Sequence, residues 1–126
     1  MSDANTTIND LREIIRRFVD ERDWRQFHAP KNVAMALAVE AAELMEHFQW
    51  LGVDASRELA RDSAKLAAIG EELADVIGYG LALANELNLD VSDAIRAKMI
   101  KNALKYPADE FRGRYSREDK GRSTSN

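Results

Sequence analysis

The sequence predicts an all-α protein, a four-helix bundle that is completed by oligomerisation. Ala, Leu, Glu and Arg dominate the middle of the chain, apolar residues recur there at helical spacing, and no stretch alternates as a half-buried strand does. Glycine and proline are scarce, with 6 and 2 among 126 residues. An apolar content of 45% in a chain of this length is enough for the core of one domain.

The first helix is predicted over about residues 7–22. Thr7 and Asp10 have the spacing of a capping pair, and apolar residues then recur at helical spacing. The next segment, DWRQFHAPK over residues 23–31, breaks this period and ends near Pro30. It carries two aromatic residues and a histidine that a simple linker would not need, so we interpret it as a binding loop.

A second helix is predicted over about residues 32–51, with one apolar stripe and Gly52 as its end. After a polar connection, a third helix is predicted over about residues 64–88. Its apolar residues cover more than one face, and we expect a second subunit to bury part of that surface.

A fourth helix is predicted to begin after Asp90, whose spacing to Asp93 is that of a helix cap, and to stop near Lys105, before Pro107. The chain beyond it is polar. We therefore expect one domain over residues 1–112 and a flexible tail over residues 113–126.

The composition excludes several classes of protein. With 18 basic and 22 acidic side chains the net charge is −4, which argues against stable binding to nucleic acid or to an anionic membrane. There is no cysteine, hence no disulfide, thiolate metal site or cysteine nucleophile. No apolar run approaches the roughly 20 residues of a membrane span, and the first ten residues lack the pattern of a signal peptide. We expect a cytoplasmic protein.

Two pairs of acidic residues stand out from the helical pattern. On the second helix, Glu40 and Glu43 fall in one sector of about 80°, beside the apolar stripe. On the third helix, Glu72 and Asp75 share their sector with apolar residues. Asn32, His47 and Trp50 also fall in the sector of the first pair.

Four carboxylates in a partly dry interior repel one another, and each loses hydration unless a cation compensates it. Oxygen ligands without cysteine suit Mg²⁺, with Mn²⁺ as a substitute. Two other interpretations remain open: ordinary solvated helix faces, and a di-iron bundle, although its Glu-x-x-His motif is absent because His47 follows Glu43 by four residues.

Four motifs in order resemble the dCTP pyrophosphatase branch of the MazG-like all-α nucleoside triphosphate pyrophosphohydrolases, over about residues 7–107. They are W-x-x-F-H-x-P-x-N (24–32), E-x-x-E-L-x-E-x-F-Q-W (40–50), E-E-L-A-D-V-x-x-Y (71–79) and K-M-x-x-N-x-x-K-Y-P (98–107). The resemblance implies a helical dimer or dimer of dimers that binds Mg²⁺ and converts a deoxynucleoside triphosphate into the monophosphate and pyrophosphate. It also implies that the metal ligands are Glu40, Glu43, Glu72 and Asp75.

Under this interpretation the remaining motif residues form a nucleotide site. Glu43 is our candidate for the general base, because its sector points toward Trp50 rather than the core stripe. On the fourth helix, Lys98, Asn102 and Lys105 share a face, with Tyr106 at its edge, and are candidates for gripping a triphosphate. The candidates for the base and sugar pocket are Trp24, His28, Asn32, Trp50 and Tyr79.

Two rival hypotheses remain open. The first is a broad-specificity or dUTP-directed enzyme of the same superfamily, since side chains in a base pocket are weak grounds for choosing a base. The second is a noncatalytic helical bundle that binds nucleotides or a protein partner. A binder has no need of four inward acids, and its stability should respond little to Mg²⁺ with nucleotide.

Overall fold

The structure is a computed structural model, and it describes residues 1–118. Its helices are α1 (Ile8–Glu21), α2 (Pro30–Glu46), α3 (Val53–Glu58), α4 (Ser63–Leu87), α5 (Val91–Lys105) and α6 (Ala108–Phe111), with 3₁₀ turns at Arg25–Phe27 and Leu59–Arg61. The described residues contain no strand, so the predicted all-α fold is confirmed. Within this part of the chain, none of the helices has the length and apolarity needed to cross a membrane.

The chain divides into two compact units. The first is Met1–Leu89, with α1 to α4, and the second begins at Asp90 and contains α5 and α6. The domain boundary that we predicted at residue 112 stays a prediction. Of the predicted tail, residues 119–126 lie outside the described residues.

The start of α1 is the predicted capping box. The Asp10 amide donates to Thr7 Oγ1 at 3.1 Å, and the Thr7 amide donates to Asp10 Oδ2 at 2.8 Å. Two amides that lack helical partners are satisfied in this way. α5 is also capped by a side chain: the Asp93 amide donates to Asp90 Oδ1 at 2.9 Å. Both predicted caps are confirmed.

The end of α1 fixes the position of Trp24. Asp23 adopts a left-handed conformation, with φ of 49°. The Trp24 amide then donates to the Val19 carbonyl at 3.0 Å, and the Asp23 amide donates to the Asp20 carbonyl at 3.1 Å. This is a Schellman motif, and its usual apolar contact is present, since the rings of Trp24 and Phe18 meet edge to face at 5.6 Å.

The second helix is shorter than predicted, and Gly52 does not end it. α2 stops at Glu46, because the following amides shift to three-residue spacing: Phe48 donates to the Met45 carbonyl at 2.9 Å. This change carries Trp50 off the helical face on which we had placed it. Gly52 instead caps the start of α3, a short helix that the sequence analysis treated as connection.

The best-buried seam of the first unit is the packing of α2 along α4. Val33 on α2 is only 2% exposed, and Leu81, Ala82 and Ala84 are buried on α4. α4 agrees closely with the predicted third helix and ends in a left-handed Asn88. This seam determines which other side chains of α2 and α4 face each other.

α1 buries only Val19, and a polar anchor fixes it against the end of α4. Arg12 Nε donates to Asn85 Oδ1 at 2.9 Å, and the Asn85 side-chain amide returns a bond to the Arg12 carbonyl at 3.2 Å. The guanidinium also donates to the carbonyls of Leu89, at 2.6 Å, and Ala84, at 3.2 Å. A cation at the C-terminus of α4 complements the helix dipole as well.

We expect Arg12→Ala to lower the free energy of unfolding by about 1.5–3 kcal/mol, because it removes charged hydrogen bonds and leaves part-buried acceptors unsatisfied. Urea unfolding followed by circular dichroism measures the change. Arg17→Ala, at an exposed position of the same helix, is the matched control and should stay within about 0.5 kcal/mol of wild type. Equal losses in both variants would contradict the anchoring role.

Candidate functional site

Three of the four predicted metal ligands come together. Glu40 and Glu43 lie one turn apart on α2, and Glu72 lies on α4. One carboxylate oxygen from each of the three lies within 4.8 Å of the other two. The packing of α2 along α4 therefore brings these carboxylates together, as the sequence analysis predicted.

Two of these carboxylates each have one oxygen that is buried and lacks a hydrogen-bond donor. Glu40 Oε2 and Glu72 Oε2 are buried atoms, and neither has a hydrogen-bond partner in the described part of the chain. Glu43 is exposed. An ionised oxygen that is buried without a donor is costly, so these atoms call for a proton or a cation.

The cluster raises the pKa of Glu40 to about 7. The main cause is a hydrogen bond to Glu43, which exists only while one of the two carboxyl groups is protonated; desolvation and the negative charges of Glu43, Asp75 and Glu72 add to it. Below that pH the proton relieves the crowding. Above it, the proton is lost and the negative charges of the cluster repel one another.

The pKa of Glu72 is raised as well, and here desolvation is the largest cause. Glu43 and Asp75 act in the same direction through their charges, whereas His47 lowers the pKa of Glu72. His47 caps the end of α2, so the turn that ends this helix also places an imidazole near Glu72.

The donor set fits a hard divalent cation. It offers oxygen atoms alone, two of them buried without a partner, and Mg²⁺ and Mn²⁺ prefer such ligands. Asp75 lies outside the group of oxygens within 4.8 Å, although its charge raises the pKa of both Glu40 and Glu72. The role of Asp75 as a ligand stays a prediction.

A cavity of about 290 Å³ lies in the first unit between α1, α4 and the loop that joins α1 to α2. It is lined mainly by apolar and aromatic residues: Ile15, Phe18, Val19, Trp24, His28, Asp75, Gly78, Tyr79 and Ala82. Asp75 is thus shared between the cavity wall and the electrostatics of the carboxylate cluster. A planar apolar group in this cavity would lie next to the cluster.

Three of the residues predicted for a base and sugar pocket line this cavity, namely Trp24, His28 and Tyr79. The Schellman motif holds Trp24, and Tyr79 follows Asp75 by one turn of α4. The sequence analysis missed the wall that α1 provides, Ile15 and Phe18, because their spacing is the same as that of ordinary core positions.

Two other predicted pocket residues lie elsewhere. The Asn32 side chain donates to the Phe27 carbonyl at 3.4 Å, so it ties the loop to the start of α2. Trp50 is 86% exposed and does not line the cavity, because α2 ends before it.

The second unit contains the predicted phosphate-binding residues. Lys98, Asn102 and Lys105 lie at i, i+4 and i+7 of α5, which places them on one face. Tyr106 follows the helix, with the Lys105 ammonium 5.3 Å from its ring centre and the Phe111 ring packed edge to face at 5.2 Å. Two ammonium groups and an amide on one face are suited to an anion.

Comparison with known proteins identifies relatives. Residues 35–118 match the MazG-like family. The chain is 40% identical to dCTP pyrophosphatase 1 of Mus musculus over 107 residues and 38% identical to that of Bos taurus over 110 residues. These alignments cover 85% and 87% of this chain but 63% and 65% of the mammalian proteins, so the chain spans less than two thirds of their length.

A solved structure, that of a pyrophosphatase from Archaeoglobus fulgidus, is similar to this fold. The TM-score is 0.73 and the sequence identity 37%, and the match covers 85% of this chain and 98% of that one. Both the sequence and the helical arrangement therefore agree with one family.

The raised pKa of Glu40 predicts that stability depends on pH in protein stripped of divalent cations. Between the ordinary pKa of 4.5 and about 7 the folded protein keeps a proton that the unfolded chain has released, so stability falls as the pH rises through this range. Urea unfolding from about pH 4 to about pH 8 measures this slope.

Glu40→Gln should flatten this decline, whereas Glu46→Gln, an exposed residue at the end of the same helix, should retain it. Saturating Mg²⁺ should also flatten the wild-type curve, since a cation compensates the carboxylates in place of the proton. The same slope in wild type and Glu40→Gln would show that Glu40 does not hold this proton.

Proposed function

This chain belongs to the MazG-like family, and on that premise we propose that it is a metal-dependent nucleoside triphosphate pyrophosphohydrolase. Its substrate would be a deoxynucleoside triphosphate, with dCTP or a modified dCTP preferred, and its products the nucleoside monophosphate and pyrophosphate. The relatives named dCTP pyrophosphatase 1, at 38–40% identity, support this choice of substrate.

One observation carries the proposal: Asp75 lines the apolar cavity, and its charge acts on Glu40 and Glu72 of the carboxylate cluster. A triphosphate requires cationic or metal contacts, whereas a base requires an apolar slot with aromatic walls. The first unit provides both a carboxylate cluster and an apolar cavity, and Asp75 is near each of them. A binding module for an apolar ligand would need the cavity but not the acids.

We propose that Glu40, Glu43, Glu72 and Asp75 hold Mg²⁺, with Mn²⁺ as a substitute. When bound, the cation would bring phosphate oxygens to the carboxylates and offset the charge that develops during hydrolysis. The two buried oxygens without donors, on Glu40 and Glu72, support their role as ligands. Their raised pKa values fit a site that trades protons for a cation.

Glu43 is the member of the cluster best suited to act as general base. Its side chain is exposed, so water reaches it, and it lies against Glu40 and Glu72. In the proposed step a water oxygen bonds to phosphorus, the anhydride bond to pyrophosphate breaks, and a Glu43 carboxylate oxygen takes the proton of the water. For the second unit by itself we propose that Lys98 and Lys105 bind pyrophosphate oxygens, with Asn102 and Tyr106 beside them.

The base would occupy the cavity between Trp24 and Tyr79, with His28 on its wall. Stacking on aromatic side chains is worth about 1–3 kcal/mol per base in nucleic-acid sites. Asn32 would act indirectly, by holding the loop whose Phe27 carbonyl accepts its hydrogen bond. Trp50 would contact the nucleotide from outside the cavity. Because its substrate belongs to the intracellular nucleotide pool, we also propose a cytoplasmic location.

We propose further that the enzyme is a homo-oligomer, a dimer or a dimer of dimers. Leu66, Leu73 and Ile77 share one face of α4, and each remains nearly half exposed in the single chain. Contiguous apolar faces of this kind usually mark an interface. Self-association would bury this stripe and enlarge a core that is small in one copy.

The proposal is tested by incubating the protein with Mg²⁺ and a panel of dNTPs and NTPs, separating the nucleotides by chromatography and assaying pyrophosphate apart from phosphate. We expect metal-dependent release of dCMP with pyrophosphate. Equal cleavage of many bases, or preference for dUTP, would replace only the substrate. With no cleavage in Mg²⁺ or Mn²⁺, a noncatalytic binding module would be the better interpretation.

Glu43→Gln and Glu72→Gln should fail in different ways. Glu43→Gln should lower kcat by about 10²-fold or more, because it removes the proton acceptor, while the fold and nucleotide binding persist. Glu72→Gln should first raise the Mg²⁺ concentration that gives half-maximal activity. A full kcat in Glu43→Gln would show that Glu43 is not the base. An unchanged Mg²⁺ requirement in Glu72→Gln would show that Glu72 is not a ligand.

Leu66→Glu should reduce the mass of the particle in analytical ultracentrifugation, because it places a charge in the proposed interface of α4. Val53→Glu is the matched control, since Val53 is 69% exposed on α3 and lies off that stripe. A wild-type monomer, or an unchanged mass for Leu66→Glu, would contradict this interface.

A further inference from the structure

We propose that Glu86 selects the base, by accepting a hydrogen bond from an exocyclic amino group that projects from the cavity into a small polar annex. The inference rests on the proposed function in taking the ligand to be a nucleotide. It adds a residue that determines specificity, in a part of the first unit that the sequence analysis did not single out.

The annex is a second, smaller space of about 50 Å³. It adjoins the larger cavity, because both are lined by Ile15, Val19, His28 and Ala82. Its size suits one water molecule or one small substituent rather than a ring. A planar base in the cavity would therefore present only an edge group to it.

The lining of the two spaces differs in chemistry. The cavity is mainly apolar, whereas the annex adds a set of charged and amide side chains: Arg16, Asp20, Arg25, Asn85 and Glu86. Polar groups at one end of an apolar slot are the arrangement that fixes the orientation of a ligand. Only a group that is not already engaged in hydrogen bonds is available to a ligand.

The amide of Asn85 is already engaged. Its Oδ1 accepts hydrogen bonds from Arg12, at 2.9 Å, and Arg16, at 3.2 Å, and its Nδ2 donates to the Arg12 carbonyl at 3.2 Å. Arg16 is held by this bond and by an ion pair with Glu13. Both groups maintain the α1–α4 anchor and have little capacity left for a ligand.

Glu86 is the least satisfied of the annex groups that are mostly shielded from water. Its side chain is 20% exposed, and its one contact is an ion pair from Arg25 Nε to Oε1 at 3.8 Å, with no hydrogen bond from any described residue. Arg25 is 72% exposed and forms the outer, water-facing side of the pair. The ion pair engages Oε1, and Oε2 remains open to a donor.

An ionised carboxylate accepts hydrogen bonds and cannot donate them. It therefore favours the 4-amino group of cytosine and repels the 4-carbonyl oxygen of uracil or thymine, which is the same chemistry by which Glu and Asp recognise cytosine in DNA. Sites that pair a buried acceptor with a ligand donor discriminate strongly, because the wrong ligand leaves the acceptor unpaired. Among the pyrimidine nucleotides, those of cytosine are the class that this annex fits.

The test compares dCTP with dUTP, which differ at C4, an amino group against a carbonyl oxygen, and at N3, which carries a hydrogen only in uracil. Glu86→Gln keeps the shape but offers an amide that can also donate, so the ratio of kcat/KM for dCTP over dUTP should fall by about tenfold or more. Glu21→Gln, an exposed charge on α1 outside both spaces, is the control and should keep the wild-type ratio. A thermal melt of each variant verifies the fold.

Binding of dCMP and dUMP, measured by calorimetry without metal, separates this inference from the hydrolase proposal. Wild type should prefer dCMP, and Glu86→Gln should lose that preference, whether or not the protein cleaves triphosphates. Equal binding of both monophosphates by wild type, or a retained preference in Glu86→Gln, would overturn the role of Glu86. So would loss of the preference in Asp20→Asn alone, which would assign the recognition to the other carboxylate of the annex.

Discussion

The crowding of carboxylates between α2 and α4 is the constraint on which the rest of the site depends. The apolar seam around Val33 and Leu81 brings the two helices together, and Glu40 and Glu72 follow because they lie beside that seam. Each buried, unpartnered oxygen costs free energy that the core must offset. In a bare cluster a proton relieves the crowding: the hydrogen bond between Glu40 and Glu43 that it permits, followed by desolvation, raises the pKa of Glu40 to about 7. A cation relieves it at higher pH.

The walls of the cavity depend on how two helices end. Asp23 and Asn88 are the two non-glycine residues with positive φ in the described chain, and each follows the last turn of a long helix. The first turn directs Trp24 back onto Phe18. The second presents the carbonyls that Arg12 grips, and so sets α1 against α4. Both helix ends are thus fixed by hydrogen bonds to backbone carbonyls rather than by a large core.

The sequence predicted the long helices and the acidic cluster because both follow from local spacing. Helical periodicity placed α1, α4 and α5 to within about two residues, and the i,i+3 acids needed only the packing of two apolar stripes. The end of α2 could not be predicted, since Gly52 has the same signature whether it ends one helix or begins the next. This error put Trp50 on a helical face that does not extend to it.

Glu86 was missed for a different reason. It lies seven residues after Tyr79 and so on the same face of α4, but a charged residue in the last turns of a helix is normally solvent-exposed. The approach of α1 and the loop, through Ile15 and Arg25, makes this position part of the wall of the annex and leaves the Glu86 side chain 20% exposed. Spacing within one helix reveals which residues share a face, whereas tertiary contacts decide whether that face is dry.

Selectivity for one base needs a contact other than those that bind the phosphates or stack on the ring. The phosphates are the same in every nucleoside triphosphate, so carboxylates with a cation, and lysines, give affinity without choosing a base. Aromatic walls such as Trp24 stack on any base, because each has a π face. Discrimination between bases must then come from an edge contact in a water-poor space, where an unpaired acceptor is costly. Within the described first unit, the annex offers such an acceptor in Glu86, whose side chain is 20% exposed.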